Sequence, residues 1–134
     1  IALCSPFEIN KVKNGILSKF LKMVTDPSKL SNHDTPVGGC FFQAITGGRT
    51  IACLITKKSA KDNSSYQELE KCLNALLNYC LKNKINIIAF PKVESELDKL
   101  SWKRVAGLIN KIYGFLSSSS LFFLRIGFFL HPAS

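Results

Sequence analysis

The run Ile51-Ala52-Cys53-Leu54-Ile55-Thr56-Lys57-Lys58 limits the folds open to this chain more than any other stretch. Its first five residues are apolar, and isoleucine, cysteine and threonine suit a strand. So short an apolar run, placed behind the Gly47-Gly48 pair, reads as a central strand with both faces covered. It ends in two lysines. Ligands of α/β domains gather where strands end, so Lys57 stands at an expected functional edge.

The neighbouring segments fit around such a strand. Ile1-Ala2-Leu3-Cys4 reads as a short strand, and Ser5 to Lys13 as a loop. Ile16, Leu17, Phe20, Leu21 and Val24 recur at helical spacing, so a helix is expected from Gly15 to Val24, ended by Asp26-Pro27. Ser28 to Pro36 reads as loop. Val37 to Thr46 is expected to pair with the 51–56 strand as a β-hairpin, because Gly47-Gly48 supplies the positive φ angles of a tight turn. Ser65-Tyr66-Gln67-Glu68 fits a capping box. Leu69, Cys72, Leu73, Leu76, Leu77, Cys80 and Leu81 form the apolar stripe of a helix over 65–83. Ile85 to Phe90 reads as a strand stopped by Pro91. Asp98 or Ser101 can cap a helix carrying Trp102, Val105, Leu108, Ile109 and Ile112 on one side. Strand, helix, strand, helix in succession argues for an α/β fold with a partly parallel sheet.

At 134 residues the chain is expected to form one domain able to bury about two-thirds of its unfolded surface. Its 46% apolar and 20% charged content excludes a disordered polymer. No apolar run reaches transmembrane length, and no leader peptide is expected. The chain opens at Ile1 rather than Met, which points to a fragment or a processed form. Ser117 to Ser120 reads as a linker. The apolar stretch Leu121 to Leu130, interrupted by Arg125, is compatible with a final buried strand or with exposed adhesive sequence. The expected division is therefore a domain over 1–116 and an apolar tail over 117–134.

The net charge of +9 suits a polyanionic partner such as nucleic acid or a nucleotide, or a merely solvated basic surface. The five cysteines, Cys4, Cys40, Cys53, Cys72 and Cys80, are odd in number and contain no CxxC. They are expected to be reduced thiols in a protein of the nucleus or cytoplasm. Neither His33 nor His131 has a ligand-type neighbour at metal spacing, so no metal and no cofactor are expected.

Five segments occur in an order and spacing that is itself specific: Leu54-Ile55-Thr56-Lys57-Lys58, Tyr66-Gln67-Glu68-Leu69, Cys80-Leu81-Lys82-Asn83, Phe90-Pro91-Lys92 and Leu97-Asp98-Lys99-Leu100-Ser101-Trp102. Together they resemble the macro domain of the terminal ADP-ribose protein glycohydrolase family, most closely over Val37 to Trp102. The resemblance implies a three-layer α/β/α fold, a mixed central sheet between helices, with ADP-ribose bound across the strand ends. The family's leading strand lies upstream of Ile1. Implied contacts with the ligand fall on Gly15, Ile16, Thr56, Pro91 and Leu97. Implied activities are release of ADP-ribose from acidic side chains of modified proteins and deacetylation of O-acetyl-ADP-ribose, in a monomer acting in the DNA damage response. In that family a lysine at the position of Lys57 attacks the anomeric carbon to give a lysyl-ADP-ribose, and an aspartate at the position of Asp98 resolves it, so the resemblance implies these roles for Lys57 and Asp98.

That chemistry is physically coherent. An amine attacks only when neutral, a form favoured by burial or by a neighbouring charge. A carboxylate can orient a ribose hydroxyl or accept a proton. The departing group is already a carboxylate and needs little acid assistance. The sequence also departs from the family. Where the family carries a glycine-rich diphosphate loop, this chain has Lys92-Val93-Glu94-Ser95-Glu96, which adds two negative charges and side-chain bulk. The plainer readings of these residues are a solvated lysine at 57, a helix-start carboxylate at 98, surface charge at Glu94 and Glu96, and packed interior at Cys53 and Trp102.

Overall fold

The computed structural model describes residues 2–9, 12, 15–31, 33–59, 61–92, 100–117 and 123–128. Among the described residues, five strands and four helices follow in the order β1 (Ala2–Pro6), α1 (Gly15–Leu21), α2 (Ser28–Ser31), β2 (Cys40–Ile45), β3 (Arg49–Lys57), α3 (Tyr66–Lys82), β4 (Ile87–Pro91), α4 (Trp102–Ser117) and β5 (Phe123–Phe128). β3 lies between β1, which is parallel to it, and β2, which is antiparallel; β4 pairs in parallel with β5. β4 lies against β1. This is an α/β fold with an open, mixed sheet.

β3 is the central strand that its composition implies. From Ile51 to Lys57 every residue is buried. The two-residue period sends alternate side chains to opposite faces. Ala52 and Leu54 join α3, α4 and β4 in one core, with Leu73, Val105, Ile109 and Tyr113. Ile51, Cys53 and Ile55 join α1 in the other, with Leu17, Phe20 and Leu30. Helices therefore cover both faces, which is the three-layer arrangement.

The hairpin forms as expected, with Ile45 opposite Arg49 and both Gly47 and Gly48 at positive φ. Its strands differ in extent from the sequence reading: β2 starts at Cys40 rather than Val37, and β3 runs to Lys57 rather than Thr56. Ser65 caps α3, its Oγ accepting the Glu68 N–H at 3.2 Å. The buried stripe of α3 is Leu69, Cys72, Leu73, Leu76 and Cys80, whereas Leu81 is 56% exposed. Leu81 falls in the last turn of α3.

Other boundaries move for physical reasons. α1 ends at Leu21, and Val24 leaves the helix to form a bridge with Ile45. The segment 28–36, read as loop, contains the short helix α2. Pro91 does not stop β4 but is its last residue, opposite Phe128 beyond a shift of register. A terminal proline is tolerated because the amide it lacks is not required there. α4 begins at Trp102, with the Val105 N–H donating to the Ser101 carbonyl at 2.9 Å, and it ends on Ser117, so the serine run starts inside a helix. The cap alternative Asp98 lies outside the described residues. Residues 123–128 of the tail form β5, of which Leu124 packs against the α3–α4 core.

Candidate functional site

The parallel strands share a direction, which the interior shows. Ala2, Thr50, Ile87 and Ile88 at the strand starts line one cleft with Leu76 and Cys80 late in α3. A second cleft runs along the strands from Ala2 past Cys4, Leu54 and Phe90 to Pro91, against the N-terminal halves of α3 and α4. Pro6, Lys57 and Pro91 therefore end at the same side of the sheet, beside the starts of α3 and α4. That is the crevice expected to hold a ligand in such a sheet.

Lys57 is the last residue of β3 and is 8% exposed. The solvated-lysine reading therefore does not hold for it, although Lys58 beside it is exposed. Its carbonyl accepts the Phe7 N–H at 2.7 Å, and the Lys58 carbonyl accepts the Glu8 N–H at 3.0 Å. Phe7 is held in turn from outside. Its carbonyl lies 2.7 Å from His33 Nε2, while the Thr35 N–H donates to His33 Nδ1 at 3.3 Å. A carbonyl can only accept, so these partners place the imidazole proton on Nε2. The ring packs between Phe41, stacked at 4.5 Å, and Phe7, tilted at 4.7 Å.

Two further ties close around the end of β3. The Gly38 N–H donates to the Ile55 carbonyl at 2.8 Å, and the Ile55 N–H donates to the Gly39 carbonyl at 3.0 Å, so the β2 side of the ladder is continued by a loop. Gly38 has φ +94°, and a Cβ there would lie 3.3 Å from Glu68 Oε2. On the α3 side, the Tyr66 hydroxyl accepts the Ser101 N–H at 2.8 Å while the Arg104 guanidinium sits 4.1 Å above the Tyr66 ring. This links the start of α3 to the start of α4.

The other sequence-predicted residues fall as follows. Thr56 is buried, with Oγ1 2.9 Å from Ser64 Oγ. Pro91 is buried at the end of β4. Gly15 and Ile16 open α1 and are described by their backbone alone. Asp98 and Leu97, with Glu94 and Glu96, lie outside the described residues. Ser64, His33 and Gly38 were not singled out in the sequence. His33 and Gly38 are tied to the β3 end through backbone groups, and no spacing rule in the chain announces such bonds.

The cysteines are free thiols. Cys53 and Cys72 are fully buried, and burial pushes each thiol up to about 12. The Cys72 thiol donates to the Ile55 carbonyl at 3.2 Å. Such thiols are packing groups, not nucleophiles. Trp102 packs partly buried against the α3–α4 core. Among the described residues no group of three or more His, Cys, Asp or Glu side chains is arranged to hold a metal, and no helix is long and apolar enough to cross a membrane.

A family profile of the macro domain matches residues 21–109. The chain belongs to the macro domain family. Over 66 residues it is 38% identical to the ADP-ribose glycohydrolase OARD1 of Homo sapiens, and equally to that of Bos taurus. The match covers 49% of this chain and 43% of each relative, so the chain spans less than half the length of the curated relatives it matches. In fold this macro domain is similar to the macrodomain of Mycobacterium tuberculosis DarG, with a TM-score of 0.78 at 16% identity over 99% of this chain and 88% of that one. It is also similar to Thermosipho africanus DarTG in complex with ADP-ribose, with a TM-score of 0.70 at 14% identity over 93% of this chain and 36% of that one.

Proposed function

We propose that this macro domain binds ADP-ribose at the C-terminal ends of its parallel strands and removes it from acidic side chains of modified proteins, with Lys57 as nucleophile. The observation that carries this reading is the placement of Lys57: a buried lysine at the end of the central strand, its backbone tied to the segment after β1. The similarity over 66 residues to an ADP-ribose glycohydrolase supports it. So does charge, since no acidic residue lies between Asp34 and Asp62, and the end of β3 with the residues after it carries Lys57, Lys58 and Lys61, which suit an anionic diphosphate.

In the proposed reaction the neutral amine of Lys57 attacks the anomeric carbon of the terminal ribose. The bond from that carbon to the glutamate oxygen breaks, and the glutamate leaves as a carboxylate with the electron pair. Water then attacks the anomeric carbon of the lysyl-ADP-ribose, the carbon–nitrogen bond breaks with its electron pair returning to the Lys57 amine, and Asp98 takes the proton of the water. The same attack serves O-acetyl-ADP-ribose only where the acetyl group is carried at the anomeric position; elsewhere on the ribose it requires hydrolysis at the acetyl carbonyl.

Mass spectrometry after incubation with ADP-ribose tests the reading. An adduct that survives denaturation and maps to Lys57 is the expected result. An adduct seen only under native conditions leaves a binding module without turnover. That second reading is favoured by Glu94 and Glu96, which stand where the family's glycine-rich loop would meet the diphosphate. Nucleic acid as the polyanion is tested by salt: binding that does not weaken as salt rises rules it out.

A further inference from the structure

The pairing of β1 with β3 slips one residue before Lys57. Ser5 pairs with Ile55 and Pro6 with Lys57, so Thr56 is passed over. A residue inserted in this way bends the strand and re-aims the side chains beside it. Proline is the reason the slip falls here, because Pro6 has no N–H to offer the ladder. The next amide, that of Phe7, reaches the Lys57 carbonyl instead.

Thr56 is fixed by its side chain. Oγ1 lies 2.9 Å from Ser64 Oγ, and the two residues are 2% and 7% exposed. A hydroxyl pair shut off from water cannot trade its bond for one to solvent without opening the strand end. Ser64 directly precedes Ser65, the cap of α3. The bond therefore anchors the far end of the 58–64 connection to the residue beside Lys57. Lys57 is held through its backbone on the β1 side by Phe7, and on the α3 side through its neighbour's hydroxyl.

We propose that the Thr56–Ser64 hydroxyl pair is a positioning device that keeps Lys57 at its buried place at the end of β3. Its consequence for catalysis rests on the reading of Lys57 as nucleophile. Its consequence for the position of Lys57 does not, and the experiment separates the two.

Acetylation with N-hydroxysuccinimidyl acetate, read by peptide mass spectrometry, compares Lys57 with exposed Lys58 in the same molecule and requires no ligand. In the unmodified sequence Lys57 is expected to label more slowly than Lys58. In Ser64→Ala and Thr56→Val the Lys57/Lys58 ratio rises by about fivefold, the scale of one lost hydrogen bond, while Thr56→Ser restores the original ratio. Circular dichroism melts confirm that each variant is folded; if Ser64→Ala is not, the contrast between Thr56→Val and Thr56→Ser decides. An unchanged ratio in Thr56→Val overturns the proposal even where its melting temperature falls, and so does a Thr56→Ser variant that labels like Thr56→Val. The ADP-ribose adduct supplies the second readout. Where the unmodified chain forms it, Ser64→Ala slows its formation by about fivefold at unchanged affinity for ADP-ribose; an unchanged rate overturns the catalytic part. Where the unmodified chain forms none, the nucleophile reading and the catalytic part fail together, and the labelling ratio still decides the positioning claim.

Discussion

β1, β3 and β4 end on Pro6, Lys57 and Pro91 and begin on Ala2, Arg49 and Ile87, and the two ends of this layer are held in different ways. At the C-terminal end, groups are tied one to one: Phe7 to Lys57, His33 to Phe7, Thr56 to Ser64, and Ser101 to Tyr66. At the N-terminal end an apolar cleft of about 80 Å³ opens among Phe42, Leu76, Cys80, Ile85 and Ile87. Hydrogen bonds constrain distance and angle, whereas hydrophobic contact is non-directional. The first end can therefore hold an atom at a set place, and the second mainly fills volume. A nucleophile needs the former.

The sharpest break of that comparison is Lys57→Ala. It is expected to lower covalent ADP-ribose transfer by more than about 10³-fold while leaving the melting temperature close to that of the parent; an active variant would dismiss the nucleophile. Leu76→Ala tests the other end. Leu76 is 2% exposed beside the cleft, so the truncation enlarges an existing void. The expected loss in urea unfolding is about 2–5 kcal/mol, with no change in the Lys57/Lys58 labelling ratio. A changed ratio would show that the two ends are coupled through the core.

The layer between the ends is expected to be sensitive to alkali. Burial raises the Cys53 and Cys72 thiols from the ordinary 9.0 to about 12. Above pH 9 the unfolded chain releases these protons and the folded chain keeps them, so stability is complete below about pH 9 and declines as pH rises toward 12. Each thiol contributes a slope of about 1.4 kcal/mol per pH unit there. Cys72→Ala is expected to flatten the fall measured between pH 9 and 10.5 by one such thiol; an unaltered slope would contradict the assigned cause. The smallest effect is assigned to Gly38→Ala, at about 1–2 kcal/mol, because φ +94° strains any residue with a Cβ. Placed at the site end, it is also expected to raise Lys57 labelling, which Leu76→Ala does not.

Much of this architecture was legible in the chain. The Gly47-Gly48 turn, the α3 stripe and the Ser65 cap are local or periodic signals, and each appears where its spacing puts it, except that the stripe is lost at exposed Leu81. The strand of residues 51–55 was readable because a central strand must be apolar on both faces. Less legible were the places where a distant partner decides. Val24 continues the helical period of α1 but is captured by Ile45. Pro91 resembles a strand stop, yet it completes β4 opposite Phe128. Residues 121–130 read equally as strand or as loose apolar sequence until β4 provides the edge on which 123–128 pair.

The candidate site divides along the same line. Lys57, with a lysine neighbour at the end of an apolar run, could be singled out from sequence, because strand ends in α/β domains collect ligands. Its burial could not, nor could its ties to Phe7 and, through Thr56, to Ser64. Period and composition act between residues close in sequence and determine which face of an element is apolar. Hydrogen bonds such as that of His33 with Phe7 join residues that only the packing of separate elements brings within reach, so the position of the amine is a property of the tertiary structure.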